Sequence, residues 1–222
     1  MVLGPANEDK ASFLRRLDDR SDTDQSVDLS ISGSSLDSTE IGCLSSVPLV
    51  PTSISTERRL RYYAVLRLPD LGPEKLSNRI GSVIDSLDLS DHTDVPPCRL
   101  APGPAFRARL AAEVLIEPVV VLSPPAVATP QGIVSTAELD LETTVVSAPP
   151  PTEALLEHAD RILVVEEGEL RFEGDPETLL NRIGLDVADA GQIEDRLGST
   201  GGTRRRRSQE SEVGESVRAE DP

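Results

Sequence analysis

The chain has 222 residues, a formal net charge of −17 and 2% aromatic residues. Such a length covers one sizeable domain or two small ones, and the acidic balance argues against nucleic acid as a partner, because a polyanion repels another unless a local basic patch dominates. Cys43 and Cys98 have no metal-ligand spacing and point to a reducing compartment rather than a disulfide framework, and no apolar run approaches the ~20 residues of a membrane-spanning helix.

Met1 to Leu3 is a short apolar lead into the stretch GPANEDKA, residues 4–11. That stretch has the length and the lysine of a phosphate loop, G-x-x-x-x-G-K-[ST], with Gly4 and Lys10 in place. Asp9 stands where the second glycine belongs and Ala11 where the magnesium-binding hydroxyl belongs, with Ser12 one position further on. Residues 13–17 continue as a helix. Residues 18–40 are rich in Asp and Ser and read as a solvated loop, with alternating Val27, Leu29 and Ile31 offering a short strand.

From Pro73 a helix is expected, with Leu76, Ile80, Val83 and Leu87 on one face. Pro96, Pro97, Pro102 and Pro104 break the chain into a loop, and residues 105–117 form a second amphipathic helix carrying Phe106, Leu110, Ala111 and Val114 on one stripe. PVVVL at 118–122 is a β-branched run suited to a buried parallel strand. TTVV at 143–146 is another, residues 152–160 are a helix, and RILVV at 161–165 is a third strand. A turn around Gly168 leads to a returning strand, RFEG, and then to a short helix over 175–183 started by Pro176. The region 196–222 is expected to be a disordered polar tail. Its run Arg204–Arg207 is either exposed without a fixed role or an electrostatic contact to acidic headgroups or protein. Strands alternating with helices imply an α/β sheet.

The stretch HADRILVVEEGELRFEGDPETLL, residues 158–180, resembles the end of an ATP-binding cassette (ABC) transporter nucleotide-binding domain. The order of elements over roughly 1–185 is similar as well. GPANEDKAS sits where the family has its Walker A loop, residues 41–66 where it has its Q-loop region, Leu100-Ala101-Pro102-Gly103-Pro104 where it has its L-S-G-G-Q signature, PVVVL where it has its Walker B strand, and TTVV where a strand leads to the switch histidine. The resemblance implies an α/β fold, a P-loop NTPase-like ABC cassette core over 1–195 with a small helical subdomain at about 57–104.

Position by position the family's chemistry is depleted. The Q-loop glutamine corresponds to Ser46, the signature serine to Ala101, the Walker B Asp-Glu pair to Ser123-Pro124-Pro125, and the switch histidine to the neighbourhood of Ala148. Two prolines remove amides that the signature loop uses. Three residues precede Gly4 where the family has two strands and an adenine-stacking aromatic, so either the start lies upstream or that platform is absent. The expectation is therefore a catalytically impaired subunit with no catalytic residue to name. ATP and magnesium are the family's cofactors, and the residual phosphate contacts are Gly4, Lys10 and Ser12. The implied partners are a membrane permease and a second, intact ABC ATPase, with the membrane reached only through a partner and the chain cytoplasmic, peripheral on the inner face. The basic and aromatic run Arg58, Arg59, Arg61, Tyr62, Tyr63 is the candidate partner contact. The alternative is a soluble, nucleotide-independent scaffold or regulator that retains the cassette fold.

Overall fold

A computed structural model describes residues 1–4, 6–18, 30–31, 34–36, 40–45, 49–139, 141–149, 152–167, 169–185, 192–193 and 196. Two three-stranded ladders form its centre. In one, β4 (Ile41–Cys43), β5 (Val120–Ser123) and β6 (Thr144–Ser147) run parallel in that order. In the other, β1 (Val2–Leu3) pairs parallel with β7 (Ile162–Glu166), which pairs antiparallel with β8 (Glu169–Gly174). A two-residue hairpin, β2 (Ser30–Ile31) with β3 (Ser34–Ser35), stands apart from both.

Side-chain alternation along these strands separates three apolar clusters. Val120 and Leu122 of β5 pack with Val2, Ile41 and Val165 against Phe13, Leu14 and Leu17 of α1 (Asn7–Asp18). Val121, pointing the other way as period two demands, joins a helical layer made by α2 (Thr56–Arg67), α3 (Pro73–Ser86) and α4 (Pro102–Val114). Leu3, Ile162 and Val164 pack with Leu156 of α6 (Glu153–Glu157) and Leu179 of α7 (Pro176–Ile183). Strand β5 is buried on both faces, which explains its continuous apolar run. The result is an α/β sandwich with helices on both sides of the strands. Among the described residues no helix is long and apolar enough to cross a membrane.

Three of the helix starts share one local device. Thr129, Thr152 and Asp175 each accept a hydrogen bond from the amide three residues on, opening α5 (Pro130–Ala137), α6 and α7. The amide and hydroxyl of Thr178 hold the Asp175 carboxyl below the usual range. Proline occupies the first turn of α3, α4, α5 and α7.

That placement of proline corrects the reading of the proline cluster. Pro102 and Pro104 do not break the chain. They lie in the first turn of α4, where missing amides cost nothing in the helix ladder, so the helix begins at 102 rather than 105. α2 and α5 are further helices that periodicity did not single out, and the two residues of β1 form a strand rather than a mere lead. Of the proposed strand residues near 27–31, Val27 and Leu29 lie outside the described residues, as do the tail from 197 onwards, Ser46 and Gly168.

Candidate functional site

In an open α/β sheet, ligands bind beyond the carboxyl ends of the parallel strands. Here those ends are Leu3 of β1, Cys43 of β4, Ser123 of β5, Ser147 of β6 and Glu166 of β7. β1, a short connection and α1 reproduce the strand–loop–helix context that a phosphate loop requires.

The loop itself is altered. Helix α1 begins at Asn7, three residues ahead of Lys10, so the segment that would wrap phosphate is already helical. The residues responsible are Asn7, Glu8 and Asp9, which suit a helix start far better than the glycines of a phosphate loop. Glu8 and Asp9 place two carboxylates in the first turn, at the positive end of the helix. The Asp9 carboxylate accepts a hydrogen bond from the backbone amide of Glu167 at 3.2 Å. Glu167 has φ of 53°, a left-handed value that costs a non-glycine residue energy and is held here by that bond. The side chain at the second-glycine position thus ties α1 to the β7–β8 turn.

The three residues expected as residual phosphate contacts fall into different environments. Gly4 ends β1, and a side chain there would meet the carbonyl oxygen of Val165 at 2.3 Å. Lys10 is 2% exposed, with its Cγ 3.6 Å from the point a Gly4 Cβ would occupy. Ser12 is half-buried in α1 next to the core residue Phe13.

Ser123, which the resemblance sets at the end of the Walker B strand, is fully buried, and its Oγ has no hydrogen-bond partner among the described residues. Its carbonyl accepts the amide of Ala148 at 3.1 Å, and Ala148 is itself buried against the α1 layer. His158 is exposed, with Nδ1 2.7 Å from the carbonyl of Ala154 at the end of α6. Among the described residues no group of three His, Cys, Asp or Glu side chains converges on a metal site. The acids Glu166 and Glu167 belong to the turn described above, and Glu166 pairs loosely with Arg171 at 3.8 Å. An unsatisfied buried hydroxyl costs about 1–3 kcal/mol. Ser123→Ala is therefore expected to raise stability by about 1 kcal/mol in a urea titration, and a loss of that size would instead reveal a partner for the hydroxyl.

The start of α4 carries the residues that the resemblance sets at the signature. Gly103 packs so closely on α5 that a Cβ would lie 2.9 Å from Oγ of Ser135. With Pro102 and Pro104 on either side and Ala105 already donating to Ala101, the first turn keeps one amide, that of Gly103, outside the helix ladder.

The five residues of the basic, aromatic run split between two faces of α2. Arg59 is 3% exposed and donates to the carbonyls of Val50 (3.4 Å) and Ala108 (3.2 Å) and to the Tyr63 hydroxyl (3.4 Å), with its guanidinium 5.0 Å from the Tyr63 ring centroid. Burial lowers its pKa, Tyr63 opposes that shift, and Arg109 adds to it. Arg58, Arg61 and Tyr62 face outwards, Arg58 lying over the Tyr62 ring and Arg61 paired with Glu57 at 3.0 Å. Val65 and Leu66, 54% and 60% exposed, extend that face. Periodicity could have found this part: Tyr62, Val65 and Leu66 recur at i, i+3, i+4 on a side that the core does not use.

Against protein-family models and against curated proteins the sequence finds no match. Among solved structures the chain is similar to cbiO1 from Clostridium perfringens, described as part of the ABC transporter complex cbiONQ. The two share 20% identity over 75% of this chain and 68% of that one, with a TM-score of 0.54. The fold is that of an ATP-binding cassette. Within the cassette, the strand–loop–helix at β1–α1, the ends of β5 and β6, and the start of α4 are the places where the resemblance located the Walker A, Walker B, switch and signature positions.

Proposed function

We propose that this chain is a catalytically impaired cassette subunit of a membrane transport assembly, acting structurally or as a regulator through an active ATPase partner and a permease. The observation that carries this reading is the closed end of α1: a carboxylate of the protein itself holds the ground a phosphate would need, while β5 ends in a buried serine with no acid behind it. These residues do not fit magnesium and ATP. Ala11 and Ser123 supply neither the hydroxyl nor the carboxylate that holds the metal, and Asp9 repels a triphosphate. Gly4, Lys10 and Ser12 remain as the residual phosphate-loop positions. Loss of one transition-state contact costs roughly 10²–10³ in rate, and five such positions are changed here. Even with strong non-additivity, turnover at this chain's own Walker site falls out of range.

The domain division follows the same reading: a cassette over 1–195 with a helical subdomain at about 57–104 and a tail over 196–222, the whole being cytoplasmic and peripheral to the membrane through its permease. The outward half of the α2 run, Arg58, Arg61 and Tyr62, faces the partner together with Val65 and Leu66. Arg59 and Tyr63 hold that helix in place from beneath.

The test is a pull-down of the tagged full chain from detergent-solubilised native membranes. Recovery of a multi-span permease with an intact cassette ATPase is the expected result, and recovery from the soluble fraction without either would leave a nucleotide-independent scaffold instead. In parallel, millimolar Mg·ATP is expected to leave the melting temperature unchanged. Ligand binding at a hundredfold excess over Kd would add about 2.7 kcal/mol, so a clear upward shift would overturn the impaired reading.

A further inference from the structure

Helix α2 is bound to the layer of strands in two ways. Leu60, Tyr63 and Ala64 pack in the cluster that contains Val121, a contact without directional preference. The second contact is charged and directional. Arg67, the last residue of α2, places Nη1 2.6 Å from Oε2 of Glu113 in the last turn of α4. Glu113 is one of the few buried charged side chains, 9% exposed. It lies directly over Gly42, the middle residue of β4: a Cβ on Gly42 would stand 3.3 Å from both Cβ and Oε2 of Glu113. Glycine at that point of the strand leaves room for the carboxylate to rest on the backbone between the strand and the Arg67 guanidinium.

The chain beyond β4 is tied to the same helix at its other end. Arg59, two turns before Arg67 on α2, holds the carbonyl of Val50 and, through a second bond, that of Ala108 in α4. α2 thus reaches Val50 directly through Arg59, and reaches Gly42 through the Arg67–Glu113 pair that lies against it. β4 is three residues long and lies at the edge of its ladder, so it has few bonds of its own to resist displacement.

We infer that Glu113 is a positioning residue that couples α2 to β4, so that a displacement of α2 passes through Arg67 and the Glu113 carboxylate to the strand. A charge-assisted bond with one partner mostly buried is short, directional and costly to break, which suits it to transmit a small movement. In the proposed assembly this connects the partner-facing side of α2 to the carboxyl end of the strands, and the inference rests on that reading for its purpose but not for its geometry.

Cys43 follows Gly42 in β4 and is half-buried, while Cys98 is exposed. The full chain carrying Cys98→Ser therefore allows the opening of β4 to be read from the rate at which a disulfide reagent labels Cys43. Arg67→Gln and Glu113→Gln are each expected to speed labelling about tenfold by raising the population of locally opened β4. The double variant is expected to do no more than either alone, because both changes break the same link, and Arg67→Lys is expected to stay within about twofold of the parent, because it keeps the pair. Arg79→Gln, which removes the Arg79–Glu117 pair just beyond α4, provides the comparison for mere loss of stability. Should Glu113→Gln fail to fold, the half-exposed Arg67 series still decides the matter. Unchanged labelling in Arg67→Gln, or an equal acceleration in Arg79→Gln, would overturn the inference. No partner is needed for this experiment. Unchanged labelling alongside a recovered permease removes the coupling alone, whereas accelerated labelling without a permease supports the coupling and leaves the transport reading to fall.

Discussion

Gly4→Ala is expected to destabilise the chain by about 3 kcal/mol or more, the upper range for overpacking a site that cannot yield. The added methyl would stand 2.3 Å from the carbonyl oxygen of Val165 and 3.4 Å from its carbon. Both are backbone atoms of β7, whose flanks are fixed by β1 on one side and β8 on the other. A flexible side chain could swing away, but a central strand cannot without losing its ladder. Gly81→Ala is the matching comparison, since nothing lies within 4 Å of the new methyl inside α3, and it is expected to stabilise by about 0.5–1 kcal/mol. Urea midpoints of the two variants should therefore move in opposite directions. A Gly4→Ala midpoint within error of the parent would show that the close approach of β1 and β7 is not required. The glycine that opens the phosphate-loop motif is on this account needed by the sheet, and its loss should be just as damaging in the absence of any nucleotide.

Arg59→Ala is expected to cost about 4 kcal/mol. The guanidinium satisfies the buried carbonyls of Val50 and Ala108, and each carbonyl left without a partner costs about 1–3 kcal/mol. Lost stacking on Tyr63 adds to this. Arg59→Lys is expected to recover less than half of the loss, because a single ammonium on a flexible stem cannot replace a planar fork that reaches three acceptors. Arg58→Ala, one position earlier on the exposed side, is expected to stay within about 0.5 kcal/mol of the parent. Denaturant midpoints read both. If the Arg59 and Arg58 variants behave alike, the buried network is not what fixes α2 on α4.

The strands over 120–123, 144–147 and 162–166 were legible from their β-branched runs, and the helix over 73–86 from its apolar spacing and its proline. Two residues of β1 carry too short a pattern to distinguish a strand from a lead, and what makes them one is pairing with β7, 161 residues away in the chain. The proline cluster misled because proline signals both a break and a helix start, and only the capping geometry separates the two. α2 was hidden for another reason. Its outward side carries apolar residues as well, with Tyr62, Val65 and Leu66 opposite Leu60, Tyr63 and Ala64, so no single amphipathic stripe stands out.

The candidate site was legible in its residue types and not in its geometry. Asp9 and Ala11 could be recognised as departures from a phosphate loop, but that Asp9 reaches the amide of Glu167 depends on a turn 158 positions later. Arg59 and Arg58 look alike in sequence. One is a bolt between helices and the other a surface charge, and nothing local distinguishes them.

The two ladders share an apolar layer but are not joined to each other by strand pairing among the described residues. Cohesion between them depends on Phe13, Leu14 and Leu17 of α1, together with Val2 and Val165 on one side and Ile41, Val120 and Leu122 on the other. A continuous sheet resists splitting because every ladder bond must break in turn, whereas a boundary filled mainly by side chains parts without breaking a ladder bond. Among the described residues the two ladders thus meet along a built-in fracture line. Denaturant or heat should open it there first, releasing β1, β7 and β8 with α7 as one cooperative unit, and the unpaired edge of β1 would then be free to meet the matching edge of another copy.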